Sequence, residues 1–201
     1  MTHLIVIEGT EYAGKTTLAK MLVNALIYRG VDARYNKGDL HPNETASELE
    51  RKASTADDAV RELFYTTACA LDKDIDVLRQ HDCVVIQDRY WPSVMAYGRY
   101  LNGTRSIHAS LETHRLFIEP ACIIYAYCSL AERGRRHERR TVKSDLDRFL
   151  LDDAQRIGAL EHEMRTVLAL MPRTLALDTA AEHPEATCAA AQKFLVEGAI
   201  I

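Results

Sequence analysis

A parallel α/β sheet carrying a phosphate-binding loop is the fold class this chain predicts, on two observations. Five short runs rich in apolar and β-branched residues, His3 to Ile7, Val31 to Tyr35, Cys83 to Gln87, Ala121 to Tyr127 and Arg173 to Leu177, are separated by segments with helical spacing, the signature of parallel strands joined by helices. The run Gly9-Thr10-Glu11-Tyr12-Ala13-Gly14-Lys15-Thr16 fits G-x-x-x-x-G-K-[ST] and lies between the first strand and a helix, the setting that gives this pattern its meaning.

The first strand, His3-Leu4-Ile5-Val6-Ile7, has little polar alternation, as expected of a strand buried on both faces. After the loop, Leu18, Met21, Leu22, Ala25 and Leu26 follow the spacing of one helical face. Glycines let such a loop wrap a polyphosphate with its N–H groups inward, and the helix adds the positive end of its dipole. Residues Gly9 to Thr17, with Ala13 and Gly14 among them, are the expected nucleotide contacts. Lys15 is expected to reach the β- and γ-phosphates, and Thr16 to ligate Mg²⁺.

The second strand leads into Asn36-Lys37-Gly38-Asp39, which matches N-K-x-D of guanine-reading loops. Those loops lie late in their fold, so the match reads as coincidence. Pro42 and Asn43 mark a loop, and Thr45 to His81 reads as one or two helices. Within it, Asp72, Asp74 and Asp76 scatter around a helix axis; they build no calcium loop and are expected to be solvated. Asp88-Arg89 follows directly on the third strand, so both emerge at the carboxyl edge where ligands bind. An acid there can hold a water on Mg²⁺, and a guanidinium can grip phosphate bidentately; the bland alternative is an ion pair at a strand end.

Pro92 to Leu101 and Ile107 to Phe117 read as two short helices. Leu130 to Arg140 is strongly basic, with Arg133, Arg135, Arg136, Arg139 and Arg140 on one helix and its exit. Arg136 with Arg140, or Arg135 with Arg139, share a face and could approach one phosphate; otherwise they form a solvated basic face, partly offset by Glu132 and Glu138. Asp145 to Leu170 reads as one long amphipathic helix, and Pro184 to Val196 closes the chain.

With 201 residues, 47% apolar and 27% charged, one domain over residues 1–201 is expected. A net charge of −4 argues against a stable nucleic-acid complex. No apolar run suggests a membrane span, and the chain enters a strand without a signal-peptide pattern, so a cytoplasmic protein is expected. Five widely spaced cysteines point to reduced, buried thiols. The eight histidines form no recognisable ligand pair, which argues against a protein-held transition metal.

Taken together, these residues resemble the thymidylate kinase family of nucleoside monophosphate kinases. Glu8 to Thr17 looks like the family's E-G-x-[ED]-G-A-G-K-T-T loop, Asp88-Arg89-Tyr90 with Ser93, Ala96 and Tyr97 like its D-R-Y-x-x-S-x-x-A-Y segment, and Leu146-Asp147-Arg148 like its L-D-R. The resemblance implies a P-loop fold with a five-stranded parallel sheet, a small helical lid at about 129–147 carrying the arginines, ATP with Mg²⁺ as donor, and a homodimer. It also implies that Glu11 meets the acceptor's sugar, Arg89 its phosphate and Phe64 its base, with Tyr97 beside them.

Three departures stand out. Tyr12 stands where the family has Gly or Arg, so the lid must supply the cation, with Arg136 and Arg139 as candidates. The family's R-E-P-G-G is missing, leaving Lys37 near the place of its Arg. In F-Y-A-A-R-x-Q the base-reading Arg and Gln fall on Ala68 and Ala70. Polar readers can discriminate by about 10⁴-fold, apolar contacts by only about 10–200-fold, so altered base specificity is expected. The function this implies is Mg²⁺-dependent transfer of the γ-phosphoryl of ATP to a nucleoside monophosphate. A nucleoside or other hydroxyl kinase, with Asp39 as base, is the alternative; a non-catalytic nucleotide binder would leave Asp88-Arg89 without a purpose.

Overall fold

The structure, a computed structural model, describes residues 3–38, 40, 52–53, 55–74, 78, 83–141, 145–181 and 183–201, the side chains at 145 and 147 excepted. In chain order the elements are β1 (Leu4–Glu8), α1 (Lys15–Tyr28), β2 (Ala33–Lys37), α2 (Asp58–Asp74), β3 (Val84–Asp88), α3 (Trp91–Asn102), β4 (Cys122–Tyr127), α4 (Leu130–Arg139), α5 (Asp145–Leu151), α6 (Ala154–Leu168), β5 (Thr174–Asp178) and α7 (Pro184–Glu197). The five strands pair in the order β2-β3-β1-β4-β5, every pair parallel.

β1 lies in the middle and is buried throughout. Its alternate side chains serve two cores, as the period-2 geometry of a strand requires. Ile5 and Ile7 join Leu18, Leu22 and Leu26 of α1 and Leu195 of α7 on one face. Leu4 and Val6 join Trp91 and Met95 of α3 and Met164 and Val167 of α6 on the other. Because the chain runs from β1 out to β2 on one side and later crosses from β3 to β4 on the other, the carboxyl end of β1 opens on a crevice between neighbouring strands, the usual ligand position in such sheets.

Each predicted strand is present within one or two residues, and two predicted helices and one predicted surface residue differ. The segment 145–170 is two helices, not one: Asp153 takes an extended backbone and its carboxylate accepts from the Gln155 N–H at 2.8 Å, capping α6. Ile107 to Phe117 is not an α-helix but turns followed by a 3₁₀ helix at Leu111–Leu116. There the Ser106 and Ser110 hydroxyls accept from the backbone N–H groups of His108 and Glu112, offering the chain an alternative to helix. Asp72 is buried, at 2% exposure, and its carboxylate accepts from the Tyr90 hydroxyl at 3.3 Å, so the expectation of solvation fails there. Asp76, Pro42, Asn43 and most of 45–57 lie outside the described residues, while α2 falls within the helical stretch expected. The five cysteines are free, four of them buried.

α3 seats α2 through a glycine. A Cβ at Gly98 would stand 2.3 Å from Glu62 Oε1, and that carboxylate is fixed by Asn102 Nδ2 at 2.6 Å and Ser106 Oγ at 2.5 Å.

Candidate active site

The phosphate loop joins β1 to α1 with three residues at positive φ: Gly9 (147°), Tyr12 (58°) and Gly14 (86°). Gly9 admits no side chain, since a Cβ would lie 2.2 Å from the Ala126 carbonyl oxygen of β4. Gly14 takes the left-handed conformation as the N-cap of α1. Lys15 opens that helix at 7% exposure, and its Nζ donates to the Thr10 carbonyl at 2.6 Å. Burial, and after it the charge of Arg89, pushes its pKa down to about 7, against the pull of Glu11, Asp88 and Glu8.

At the next residue, the Thr16 hydroxyl donates to Asp88 Oδ2 at 2.5 Å. The same oxygen accepts from the Tyr35 hydroxyl at 3.1 Å and lies 3.8 Å from Lys37 Nζ. Asp88 Oδ1 is buried and has no hydrogen-bond partner among the described residues. A buried carboxylate oxygen left over beside a threonine hydroxyl fits a hard cation that takes oxygen ligands. No group of three or more His, Cys, Asp or Glu among the described residues could hold a metal unaided, so a cation here would take further oxygen ligands from water or a bound phosphate. That matches the habit of Mg²⁺, which is bound through one or two carboxylates and substrate phosphates.

At the other end of the loop, Arg89 also has positive φ (71°). Its guanidinium donates to Glu11 Oε1 at 2.7 Å and lies over the Tyr97 ring, 5.3 Å from the centroid. The Tyr97 hydroxyl donates to the Glu11 carboxylate. Burial acts to raise the Glu11 pKa, yet the charges of Arg89 and Lys15 and the Tyr97 bond outweigh it and hold the group below its ordinary value. Asp88 and Arg89 are thus not paired with each other; each serves a different end of the loop. The strained turn at Arg89 is held by Glu8, fully buried, which accepts from the Tyr90 N–H at 2.9 Å, the Ser93 N–H at 3.2 Å and the Ser93 hydroxyl at 2.6 Å. Asn36 donates to Gln87 at 2.7 Å and so serves the sheet edge. Asp39 lies outside the described residues. Phe64 stands half-buried on α2 with its ring edge-on to Tyr65 at 5.2 Å, and the helix is fastened to the Arg89 turn by the Tyr90 bond to Asp72.

The basic helix α4 lies along the loop. Arg133, only 1% exposed, donates to the Cys128 and Glu11 carbonyls at 3.2 and 2.6 Å, to the Thr10 hydroxyl, and to Glu161 of α6. Arg136 donates to the Tyr12 carbonyl at 3.0 Å, to the Thr179 hydroxyl at 2.9 Å and carbonyl at 2.8 Å, and to Glu132 at 2.8 Å. Arg135 pairs with Glu132 near the surface, and Arg139 is exposed. A cavity of about 270 Å³ opens beside Gly14, Thr17, Leu18, Arg136, Thr179 and Pro184, next to the loop and of a size to take part of a nucleotide.

Sequence reasoning overlooked Thr179 and Glu161 and gave Arg133 no separate role. Thr179 follows directly on β5, so the rule that led to Asp88-Arg89, that side chains just past a strand meet the ligand edge, would have found it. Arg133 and Glu161 carry no local signal.

A parallel sheet with this loop at its carboxyl edge and an acid-arginine pair on the adjacent strand is the P-loop nucleotide-binding fold. A family model described as thymidylate kinase matches residues 7–172, and the chain belongs to the thymidylate kinase family, making it a nucleotide kinase, a phosphotransferase. Among solved structures it is similar to the thymidylate kinase from Candida albicans, whose structure is described as revealing the origin of broad substrate specificity and a novel structural element. That likeness has a TM-score of 0.70 at 19% identity and covers 98% of this chain and 92% of the other. No curated sequence matches the chain. No helix among the described residues is long and apolar enough to cross a membrane.

Proposed function

We propose that the protein transfers the γ-phosphoryl of ATP, with Mg²⁺, to a nucleoside monophosphate, and that its hold on the base is looser than strict thymidylate recognition requires. The observation that carries this reading is the division of one loop between two charge groups. Thr16 and Asp88 form an oxygen site on the α1 side, and Glu11, Arg89 and Tyr97 form a half-buried group on the other.

Such a reaction asks mainly for positioning and charge neutralisation. The loop amides and Lys15 would hold the donor phosphates, and the cavity beside Gly14, Arg136 and Thr179 would take the rest of the donor nucleotide. Thr16 and Asp88 would hold the Mg²⁺, which when bound would neutralise phosphate charge. Arg89, fixed by Glu11 and the Glu8-pinned turn, would align the acceptor phosphate, with Glu11 and Tyr97 toward its sugar. A phosphate acceptor is already nucleophilic and needs no general base. Ala68 and Ala70 offer no side-chain hydrogen bonds to a base, which leaves Phe64 and shape to hold it; the broad specificity named for the Candida albicans enzyme supports this.

For the assembly we read a homodimer in the cytoplasm. Val60, Leu63 and Leu71, each more than half exposed, fall on one stripe of α2 suited to a second copy.

A panel of nucleosides and nucleoside monophosphates, assayed with ATP and Mg²⁺ for ADP release, tests the reading. Turnover is expected with monophosphates and to stop with EDTA. Turnover of free nucleosides with none of their monophosphates would overturn it.

A further inference from the structure

Tyr12 occupies the crown of the phosphate loop with a backbone, φ 58°, that favours glycine. Holding a tyrosine there costs conformational energy that glycine would not, so the ring needs a compensating task. Two ring contacts tie it to α4 and to the residue just past that helix. The His137 ring meets it edge-on, with centroids 5.1 Å apart, and the Arg140 guanidinium lies over it, 5.6 Å from its centroid. Arg136 holds the carbonyl of the same residue at 3.0 Å.

Of the four arginines of α4, three are committed or turned away. Arg133 is buried in bonds to Thr10, Glu11, Cys128 and Glu161. Arg136 is spent on Tyr12, Thr179 and Glu132. Arg135 faces solvent beside Glu132. Arg140 is exposed, makes no carboxylate contact among the described residues, and is the arginine with its charge set over the loop crown. A ring face attracts a guanidinium without consuming its five N–H donors, so a cation held this way stays free to bond a phosphate.

We propose that Tyr12 is a positioning residue that recruits Arg140 as the cation of the phosphate loop. An arginine just past the end of α4 and seated on the ring supplies the charge that the loop's own sequence lacks. The inference rests on the phosphoryl-transfer reading above, and it makes Arg140, not the committed Arg136, the arginine that meets the transferring group.

The test compares Y12G, Y12F, R140A and Y12G/R140A. Glycine suits the backbone at this position, so Y12G is expected to melt no lower than wild type while kcat falls about tenfold or more and KM for ATP moves less than threefold, the pattern of a contact made chiefly in the transition state. Y12F keeps the ring and should retain most of the wild-type kcat. R140A should match Y12G, and the double variant should be no worse than either, since residues acting as one unit are not additive. A second readout needs no turnover: limited tryptic cleavage after Arg140 should be faster in Y12G than in wild type or Y12F. If wild type transfers phosphate to none of the acceptors, the functional reading fails and the digestion alone decides whether Tyr12 seats Arg140. Unchanged kcat and unchanged cleavage in Y12G, full additivity with R140A, or a Y12F as impaired as Y12G would each overturn the proposal.

Discussion

Lys15 is held in the free protein at a cost that a bound polyphosphate would remove. The unfolded chain keeps this proton up to about pH 10.5, whereas the folded protein gives it up near 7. Across that window the unfolded state binds more protons, so this group's contribution to stability rises with pH. Lys15→Met, which keeps the bulk and removes the charge, should therefore raise the Tm of the nucleotide-free protein, by most at pH 7 and below and by progressively less toward pH 10. Phosphoryl transfer should meanwhile fall by roughly 10²- to 10³-fold, the usual loss for one preorganised electrostatic contact. A Tm below wild type at pH 7, or turnover within a few-fold of it, would contradict this account of the lysine. At this scale the sequence was most legible where chemistry is local. The loop, Thr16, Asp88 and Arg89 stand in short patterns beside strand ends, and the structure brings them together. Arg133 was not legible, because its partners at Thr10 and Glu161 lie 123 and 28 positions away and only folding reveals them.

Elements were readable to the extent that their periodicity was. The strands were found because both faces of a central parallel strand are apolar, whereas Asp145 to Leu170 read as one helix because its apolar spacing continues across the break at Asp153, where a side-chain cap restarts the helix. The 107–117 segment misled for the opposite reason: its side chains bond elsewhere, the Ser110 hydroxyl accepting from the Glu112 N–H and the buried His108 ring bonding Thr66 of α2 and, locally, Thr113. The same region shows how α2 is placed. Gly98→Ala would drive a methyl into a Glu62 carboxylate that Asn102 and Ser106 do not let move. Overpacking of this kind typically costs about 1–3 kcal/mol, to be read from urea unfolding. Since α2 also carries Phe64, the variant should raise KM for the acceptor more than for ATP. An unfolding midpoint equal to wild type would show that the carboxylate is freer than its bonds imply.

At the scale of the whole molecule, the crevice at the carboxyl end of β1 gathers residues from both halves of the chain: the loop from the first strand, Asp88-Arg89 from the third, α4 after the fourth and Thr179 after the fifth. The exposed stripe of α2 stands outside that construction. In the homodimer reading Leu63→Lys places a charge in the centre of the stripe, and light scattering after gel filtration should show the variant at half the wild-type mass. Two equal masses, whether both monomer or both dimer, would remove α2 from the assembly. Base choice also belongs to this scale, because it depends on how α2 faces the Glu11–Arg89–Tyr97 group. The most direct test of the central claim is a competition assay, with ATP and Mg²⁺, between thymidylate and each of the other pyrimidine monophosphates in equal amounts. The account predicts transfer to monophosphates with thymidylate favoured by no more than the roughly 10–200-fold that apolar contacts supply. Absence of transfer to any of them, or a preference for thymidylate above about 10⁴-fold, would contradict it.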